Sequence, residues 1–267
     1  MKAKLAHYLR WYFSAIMLIA CVTGTTVAEA QVGRSLKDAM FGHKSVDGRT
    51  QAPPKIAHFV SEDGESFVFD GTSPQALMRF DGDDEVWALT TTQGPKGDVI
   101  YKNDIGEPVL KATRWGGMIL FSEESPTGDP AAVTGKAEAF SLDKISPASL
   151  YQTLLRASHR VSVLLERNLI FAAPDVTPDT SSLYANAFTV TSDALAKVAL
   201  QSHGRQMLTP VHQVQFVDGR PPSASLDKGT LTLKLDASRG AWGGHPSSRR
   251  IMNLIMTSYS VADNDRR

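Results

Sequence analysis

Short apolar segments separated by turn signals fill residues 55–140 and indicate a β-rich region. Asp63-Gly64 and Asp81-Gly82 are typical hairpin turns. The apolar side chains of residues 66–69 and 86–89 fall on both faces of their segments, as in strands that are buried on two sides. About seven strands at this spacing predict an antiparallel meander that closes as a sandwich or a small barrel. We expect the strands at residues 56–61, 65–70, 76–80, 85–91, 99–102, 108–113 and 118–121.

Residues 141–267 show a mixed pattern of helical and strand periodicity. Ser146 before Pro147 is typical of a helix start, and apolar residues then repeat at helical spacing, which predicts one long amphipathic helix to about residue 168. A second helix is expected from Thr191 or Ser192 onwards, with Gly204 as its C-terminal glycine. Two strands at residues 212–217 and 230–235 and a third helix from Ser247 or Ser248 to about residue 259 complete the prediction. The fold class is therefore α+β, with both regions packed as one globular unit.

The N-terminal residues 1–30 are typical of a secretion signal. Lys2, Lys4 and Arg10 precede an apolar run at residues 11–22, and Ala28-Glu29-Ala30 supplies the small residues that signal peptidase needs. We expect cleavage after Ala30, and residues 31–54, which are polar and unpatterned, then form a flexible tether. The apolar run is shorter than the roughly 20 residues of a spanning helix, so no membrane span is expected after processing.

Cys21 introduces an alternative to soluble release. The sequence Leu18-Ile19-Ala20-Cys21 resembles the lipobox of bacterial lipoproteins, in which the cysteine carries a lipid anchor and becomes the new N-terminus. Cys21 is also the only cysteine of the chain. Cleavage after Ala30 would therefore exclude disulfides, thiolate nucleophiles and cysteine-ligated metals from the mature protein.

The balance of charges argues against polyanionic partners. The chain has 28 basic and 28 acidic residues, so its net charge gives no electrostatic reason to bind nucleic acid or an anionic membrane surface. The expected partner is instead another component of the cell envelope, either a protein or a polymer, and no cofactor is expected.

A glycine-rich turn before the third helix is the strongest candidate ligand site. Its residues would present free backbone N–H groups to an anion such as a phosphate or a carboxylate. Arginines in a first helical turn are unfavourable against the helix dipole, which adds to the case for a bound anion. The candidate residues are Gly243, Gly244, His245, Ser247, Ser248 and Arg249, with Arg250 next in the chain.

The densest acidic cluster is a second, weaker candidate site. Asp81, Asp83, Asp84 and Glu85 alternate with a glycine and offer the hard oxygen ligands that Ca²⁺ prefers. The cluster lacks the full spacing of an EF-hand loop, and a solvated hairpin turn is the alternative interpretation.

Four segments of the sequence carry a family resemblance: residues 58–62, 97–104, 113–118 and 247–250. Together they resemble an exported bacterial protein family that is known only as a domain of unknown function, over about residues 54–256. The resemblance implies residence in the cell envelope and brings no established activity or catalytic residue.

No Gly-x-Ser-x-Gly, His-Glu-x-x-His, P-loop or Gly-x-Gly-x-x-Gly motif occurs in the sequence. The leading hypothesis is therefore an exported protein of the periplasm or exterior that acts as a non-enzymatic binding or structural module. The first alternative is an envelope hydrolase acting on peptidoglycan or an ester, with His245, Ser247 and Arg249 near its cleft. The second alternative is a calcium-dependent binding module at residues 81–85.

Overall fold

A closed antiparallel barrel forms the first half of the fold. The computed structural model describes residues 55–142 and 144–264, without the side chains of residues 262–264, so the signal, Cys21, Ala30 and the tether lie outside the described residues. Consecutive strands pair with one another, and β8 pairs with β1 to close the barrel. The strands are Ile56–Ser61 (β1), Ser66–Asp70 (β2), Ala76–Phe80 (β3), Trp87–Gln93 (β4), Val99–Lys102 (β5), Pro108–Ala112 (β6), Met118–Leu120 (β7) and Asp129–Gly135 (β8).

The barrel closes around alternate side chains of its strands, which confirms the predicted antiparallel meander. Phe59 on β1 lies opposite Phe67 on β2, and their rings stack with centroids 5.3 Å apart. Phe69 meets the ring of Tyr101 edge-on at 5.1 Å. The first pair joins neighbouring strands and supports the register in which the hydrophobic face points inward, whereas the second joins β2 and β5, which do not pair with each other.

The eighth strand was missing from the prediction. Strand β8 contains Pro130 at its start, two alanines and an exposed Val133, so its sequence offers no run of large apolar residues that would mark a strand. Its hydrogen bonds to β1 and β7 come from closure of the barrel, which no local pattern encodes.

The second half consists of helices around a small mixed sheet. The sheet order is β11-β12-β10-β9, with β11 antiparallel to β12 and the other two pairs parallel. The strands are Ile170–Ala172 (β9), Gln213–Asp218 (β10), Ser223–Asp227 (β11) and Thr230–Leu235 (β12). The helices are Pro147–Leu165 (α1), Ser181–Ala199 (α2), Gly204–Leu208 (α3), Gly240–Gly243 (α4) and Ser248–Asn264 (α5), and single 3-10 turns lie at Pro95–Gly97, Pro178–Thr180 and Ala237–Arg239.

Helix α1 begins where the sequence predicted it. The Ser146 hydroxyl caps it by accepting the backbone N–H of Ser149 at 3.2 Å, and Pro147 occupies its first turn. The helix ends at Leu165, and Glu166 caps it in the left-handed conformation. The long amphipathic helix of the prediction is thus confirmed, about one turn shorter at its C-terminus.

The predicted start and end of the second helix were wrong. Helix α2 begins at Ser181, ten residues before Thr191, and most of its residues are buried on every side. Gly204 does not end this helix but opens α3, where a side chain would collide with the carbonyl of Val198. Thr191 and Ser192 are residue types that favour N-caps but are buried within α2, whose own N-cap makes no side-chain hydrogen bond, so the predicted start came ten residues too late.

Helix α2 is the centre of the second core. Phe188 packs edge-on against Phe216 of the sheet at 4.7 Å and against Tyr184 at 6.1 Å. Ile251 and Ile255 of α5 join the same core. Among residues 55–142 and 144–264, no helix is long and apolar enough to cross a membrane. Barrel and helical half together give the α+β fold that the sequence predicted.

Candidate functional site

The start of helix α5 lies against the loops of the barrel. The turn that leads into it is tightly packed: a side chain on Gly244 would lie 2.5 Å from the carbonyl oxygen of Gly240 and 2.6 Å from that of Asp236. A side chain on Gly243 would collide with Gln75 before β3. Both glycines thus allow α4 and the turn to approach their neighbours closely. We call residues 243–250, together with the barrel carboxylates they contact, the joint.

Glu85 is the buried anion of the joint. It is 4% exposed, and its carboxylate accepts the backbone N–H of Ser248 at 2.9 Å and also the Ser248 hydroxyl. Burial raises the pKa of Glu85, while the two hydrogen bonds from Ser248 lower it. A carboxylate at a helix N-terminus is favoured by the helix dipole. The first turn of α5 therefore offsets part of the effect of burial on the pKa of Glu85, which stays raised.

Asp104, in the loop between β5 and β6, is the second anion of the joint. It accepts the Ser247 backbone N–H at 3.1 Å and the Ser247 hydroxyl at 2.5 Å. Arg250 donates from Nε to the same carboxylate at 2.7 Å. The Ser247 hydroxyl in turn accepts the backbone N–H of Arg250 at 3.1 Å, as an N-cap does. Asp104 thus connects the N-cap and the first turn of α5 to the barrel.

Arg249 is held on the other side of the helix start. Its guanidinium donates to Glu107 at 3.1 Å and to Glu123 at 2.8 Å, and it lies 5.8 Å from the ring centroid of Trp87. Barrel carboxylates therefore offset the unfavourable position of both arginines near the positive end of the helix dipole.

His245 is buried within the joint, where burial lowers its pKa. Its Nε2 lies 2.9 Å from the amide nitrogen of Asn186, and its Nδ1 lies 2.9 Å from the carbonyl oxygen of Pro246. The amide nitrogen of Asn186 can only donate and the carbonyl oxygen of Pro246 can only accept. Both contacts therefore fit a neutral ring that is protonated on Nδ1. His245 is therefore a structural hydrogen-bonding group that favours the uncharged state.

All six candidate residues of the predicted anion site meet at the joint. The anions that the structure places there are side chains of the chain itself, Glu85 and Asp104 at the backbone N–H groups and Glu107 and Glu123 at Arg249. The conflict between two arginines and the helix dipole thus marked a contact between the two halves of the fold. The binding of a separate anion at this turn stays a prediction.

Three of the four carboxylates of the predicted calcium site contact different partners, and the fourth, Asp84, is exposed. Asp81 lies 2.6 Å from His58, Asp83 lies 3.3 Å from Lys197, and Glu85 is bound to Ser248. Within residues 55–142 and 144–264, no group of three or more histidine, cysteine, aspartate or glutamate side chains could hold a metal ion. The structure therefore does not bring Asp81, Asp83, Asp84 and Glu85 together as ligands.

The geometry of a serine hydrolase is also not formed at this turn. Both ring nitrogens of His245 are engaged by Asn186 and Pro246, and the Ser247 hydroxyl donates to Asp104. In a Ser-His pair, a histidine ring nitrogen lies within hydrogen-bond distance of the serine hydroxyl. The Ser247 hydroxyl is bonded instead to the carboxylate of Asp104, so this pair is not formed here.

A cleft of about 360 Å³ lies beside the joint, between the barrel and the helical half. Its size is in the range of small-molecule sites. We call it the seam cleft, and its principal walls are Gln75, Trp87, Pro221, Pro222, Trp242 and Gly243. Gly243, His245 and Ser247 of the predicted anion site line this cleft, whereas its other walls come from separate loops that carry no shared local signal.

Comparison with known proteins gives one match. A family model described as "Domain of unknown function (DUF4908)" covers residues 35–255. No curated protein and no solved structure matches the chain.

Proposed function

Since the chain belongs to this family of unknown function, which confirms the resemblance seen in its sequence, we propose from the seam cleft that the protein is a non-enzymatic binding module of the cell envelope. The observation that carries the proposal is the wall of the cleft. Trp87 and Trp242 contribute flat rings, and Pro221 and Pro222 add a further apolar surface. Aromatic walls with a few polar groups are typical of sites that bind small molecules and polymer segments.

The charged groups of the seam cleft are already paired within the chain. Glu85 is bound by Ser248, and Asp104 by Arg250. Arg239 lies 3.7 Å from Asp236, a carboxylate whose pKa is lowered first by the hydrogen bond from Ser238. What remains for a ligand is neutral hydrogen bonding, including the amide of Gln75, beside apolar rings. A saccharide segment of an envelope polymer, with hydroxyl groups and apolar ring faces, has this complementary chemistry.

The experiment is a binding assay on the processed protein. We expect retention on purified peptidoglycan and a change in tryptophan fluorescence on titration with soluble glycan fragments. Trp242→Ala should weaken binding about tenfold or more, because aromatic anchors dominate binding energies. Trp115→Ala is the matched control, since Trp115 is 75% exposed at the turn between β6 and β7 and does not line the cleft.

Two results would contradict this function. One is equal affinity of the Trp242→Ala and Trp115→Ala variants with unchanged melting temperatures. That result would mean that the ligand binds outside the seam cleft. The other is no retention on any envelope polymer, lipid or protein, which would remove the binding role.

We also propose that the module is exported, a proposal supported by the sequence of residues 1–30 alone. Mass spectrometry of the N-terminus of the mature protein tests it. A start at Gln31 identifies soluble release, and a lipid-modified Cys21 identifies an anchored form. An N-terminus that retains the first residues would contradict both forms.

A further inference from the structure

A second cavity lies on the outer face of the barrel, beside the segment that follows β8. It has a volume of about 570 Å³ and is open to solvent. One wall is a row of residues that lie opposite one another across β3, β2, β1 and β8, namely Arg79, Val68, His58 and Gly135. The segment after Gly135 supplies the other wall, with Lys136, Glu138 and Phe140. We call this site the outer cavity.

The outer cavity offers two cations that the chain does not pair. In the described part of the chain, neither Arg79 nor Lys136 has a carboxylate within 4.0 Å. Two cations therefore stand in the lining against the single carboxylate of Glu138. Asp81, which does not line the cavity, is held by His58 at 2.6 Å. The surplus of positive charge in the lining favours a ligand with one negative charge.

Arg79 is positioned to receive such a ligand. Its guanidinium lies 5.4 Å from the ring centroid of Phe140, and none of its N–H groups donates a hydrogen bond to another described residue. The side chain is exposed, so a ligand can reach these donors. A guanidinium that lies over a ring keeps its in-plane N–H groups available, and their fork matches a carboxylate with two parallel hydrogen bonds.

The outer cavity adjoins the seam cleft through one pair of rings. Phe140 of the outer cavity meets Trp242 of the seam cleft edge-on, with ring centroids 6.4 Å apart. The backbone N–H of Phe140 donates to Asp70 at 3.2 Å, which ties this ring to the barrel. A polymer segment that lies beside Trp242 can therefore continue past Phe140 and reach Arg79.

We propose that the outer cavity binds the carboxylate of an acidic saccharide whose neighbouring unit occupies the seam cleft. Arg79 donates two N–H groups to the carboxylate, and Lys136 adds a second positive charge. This inference rests on the proposed function and narrows its ligand to saccharides that carry an acidic group. A densely charged polyanion stays disfavoured, because the chain as a whole has no net charge.

The test compares two glycans on the purified protein. One is the peptide-free tetrasaccharide of peptidoglycan, whose lactyl groups carry carboxylates, and the other is the same tetrasaccharide after reduction of those carboxylates to alcohols. Isothermal titration calorimetry gives both affinities. We expect the acidic glycan to bind about tenfold more tightly, since a charge-assisted hydrogen bond is worth about this factor. The ratio of affinities should shrink as salt is added, because exposed charges are screened.

Variants assign the preference for the acidic glycan to its residues. Arg79→Gln should remove most of the preference and leave the affinity for the reduced glycan unchanged, since Arg79 does not line the seam cleft. Lys136→Gln should lower the preference by about threefold, as the loss of an exposed charge pair does. Arg114→Gln is the matched control and should keep the full preference. Arg114 is also an exposed barrel arginine, 4.3 Å from the ring centroid of Trp115, but it lines neither cavity.

Equal affinity for the two glycans would overturn the inference, as would an unchanged preference in the Arg79→Gln variant. The two proposals fail in different ways. If both glycans bind equally and Trp242→Ala weakens both, the seam cleft keeps its function and the outer cavity loses its role. If neither glycan binds, the saccharide function of the seam cleft fails and the inference fails with it.

Discussion

The barrel and the helical half bury their cores in different ways. In the barrel, neighbouring residues alternate between the interior and the outside, as Phe67, which is fully buried, and Val68, which is half-buried, illustrate. In helix α2 adjacent residues are buried together, including Ala187 and Phe188. A strand in a small barrel has one inward face, whereas a central helix is surrounded. Tolerance to substitution should therefore follow a period of two in the barrel and be confined in α2 to the narrow, less buried stripe of Ser182, Asn186, Thr189, Asp193 and Lys197.

The largest expected effects test this difference directly. Phe67→Ala and Phe188→Ala should each lower the free energy of unfolding by about 3–5 kcal/mol, since both rings are fully buried. Val190→Ala in α2 should cost about 2 kcal/mol, because Val190 is 2% exposed, whereas Val68→Ala in the barrel should cost less than about 1 kcal/mol. Urea denaturation of the four variants measures these values. Equal costs for Val68→Ala and Val190→Ala would break the comparison.

The joint contains one titratable group from each half whose pKa is shifted, and the two shifts have opposite directions. The pKa of His245 is lower in the folded protein than in the unfolded chain. As the pH falls below 6.5, the unfolded chain therefore binds a proton at His245 more readily than the folded protein does, and the contribution of the neutral histidine to stability is lost. Glu85 has a raised pKa, so its contribution is present below pH 4.5 and is lost as the pH rises through its folded pKa. Each group changes the unfolding free energy by at most about 1.4 kcal/mol per pH unit.

Two variants separate these contributions. His245→Gln should remove the part of stability that rises with pH below 6.5, while Glu85→Gln should remove the part that falls with pH above 4.5. Unfolding free energies measured between these two pH values give the slopes. Slopes that change in the same direction in both variants would contradict the assignment.

The smallest effect concerns polar groups inside the helical core. The hydroxyl groups of Tyr184, Thr191 and Ser192 on α2 are buried without hydrogen-bond partners among the described residues. Burial, the largest cause, raises the pKa of Tyr184 to about 12. Tyr184→Phe should therefore stabilise the protein by about 1 kcal/mol, because it removes a desolvated hydroxyl and keeps the ring. A melting temperature below that of the parent protein would reveal a partner for this hydroxyl.

The same contrast explains what the sequence could predict. Hairpins with Asp-Gly turns and inward aromatic residues are local signals, and seven of the eight barrel strands lay close to their predicted positions. Strand β8, with Pro130 and few β-branched residues, is held by closure of the barrel. The first half of α2 was missed because Thr191 and Ser192, inside the helix, are typical N-cap residues, whereas its actual N-cap makes no side-chain hydrogen bond. Strands β9 and β11 were missed as well: β9 has three residues, and β11 is rich in serine.

The candidate site was only partly predictable for a related reason. The glycine turn and the two arginines identified the joint, since these features are adjacent in the chain. Their partners Glu85, Asp104 and Glu123 come from distant loops. Nothing near Arg79 or Lys136 in the sequence indicates that they share a cavity. Cavities form where separate elements meet, so their chemistry becomes visible only when the topology is known.

The joint can form only after the last helix has been synthesised, so it is completed after the barrel. Glu85 and Asp104 are synthesised early, with the barrel, whereas the residues that bind them begin at Ser247, near the end of the chain. Domains generally acquire structure from the N-terminus as synthesis proceeds. A nascent chain can therefore close its barrel while these two carboxylates still face water, and it joins the two halves only after the last helix has been made. For a chain that crosses a membrane before folding, this delay keeps the final assembly step for the side on which the whole sequence has arrived.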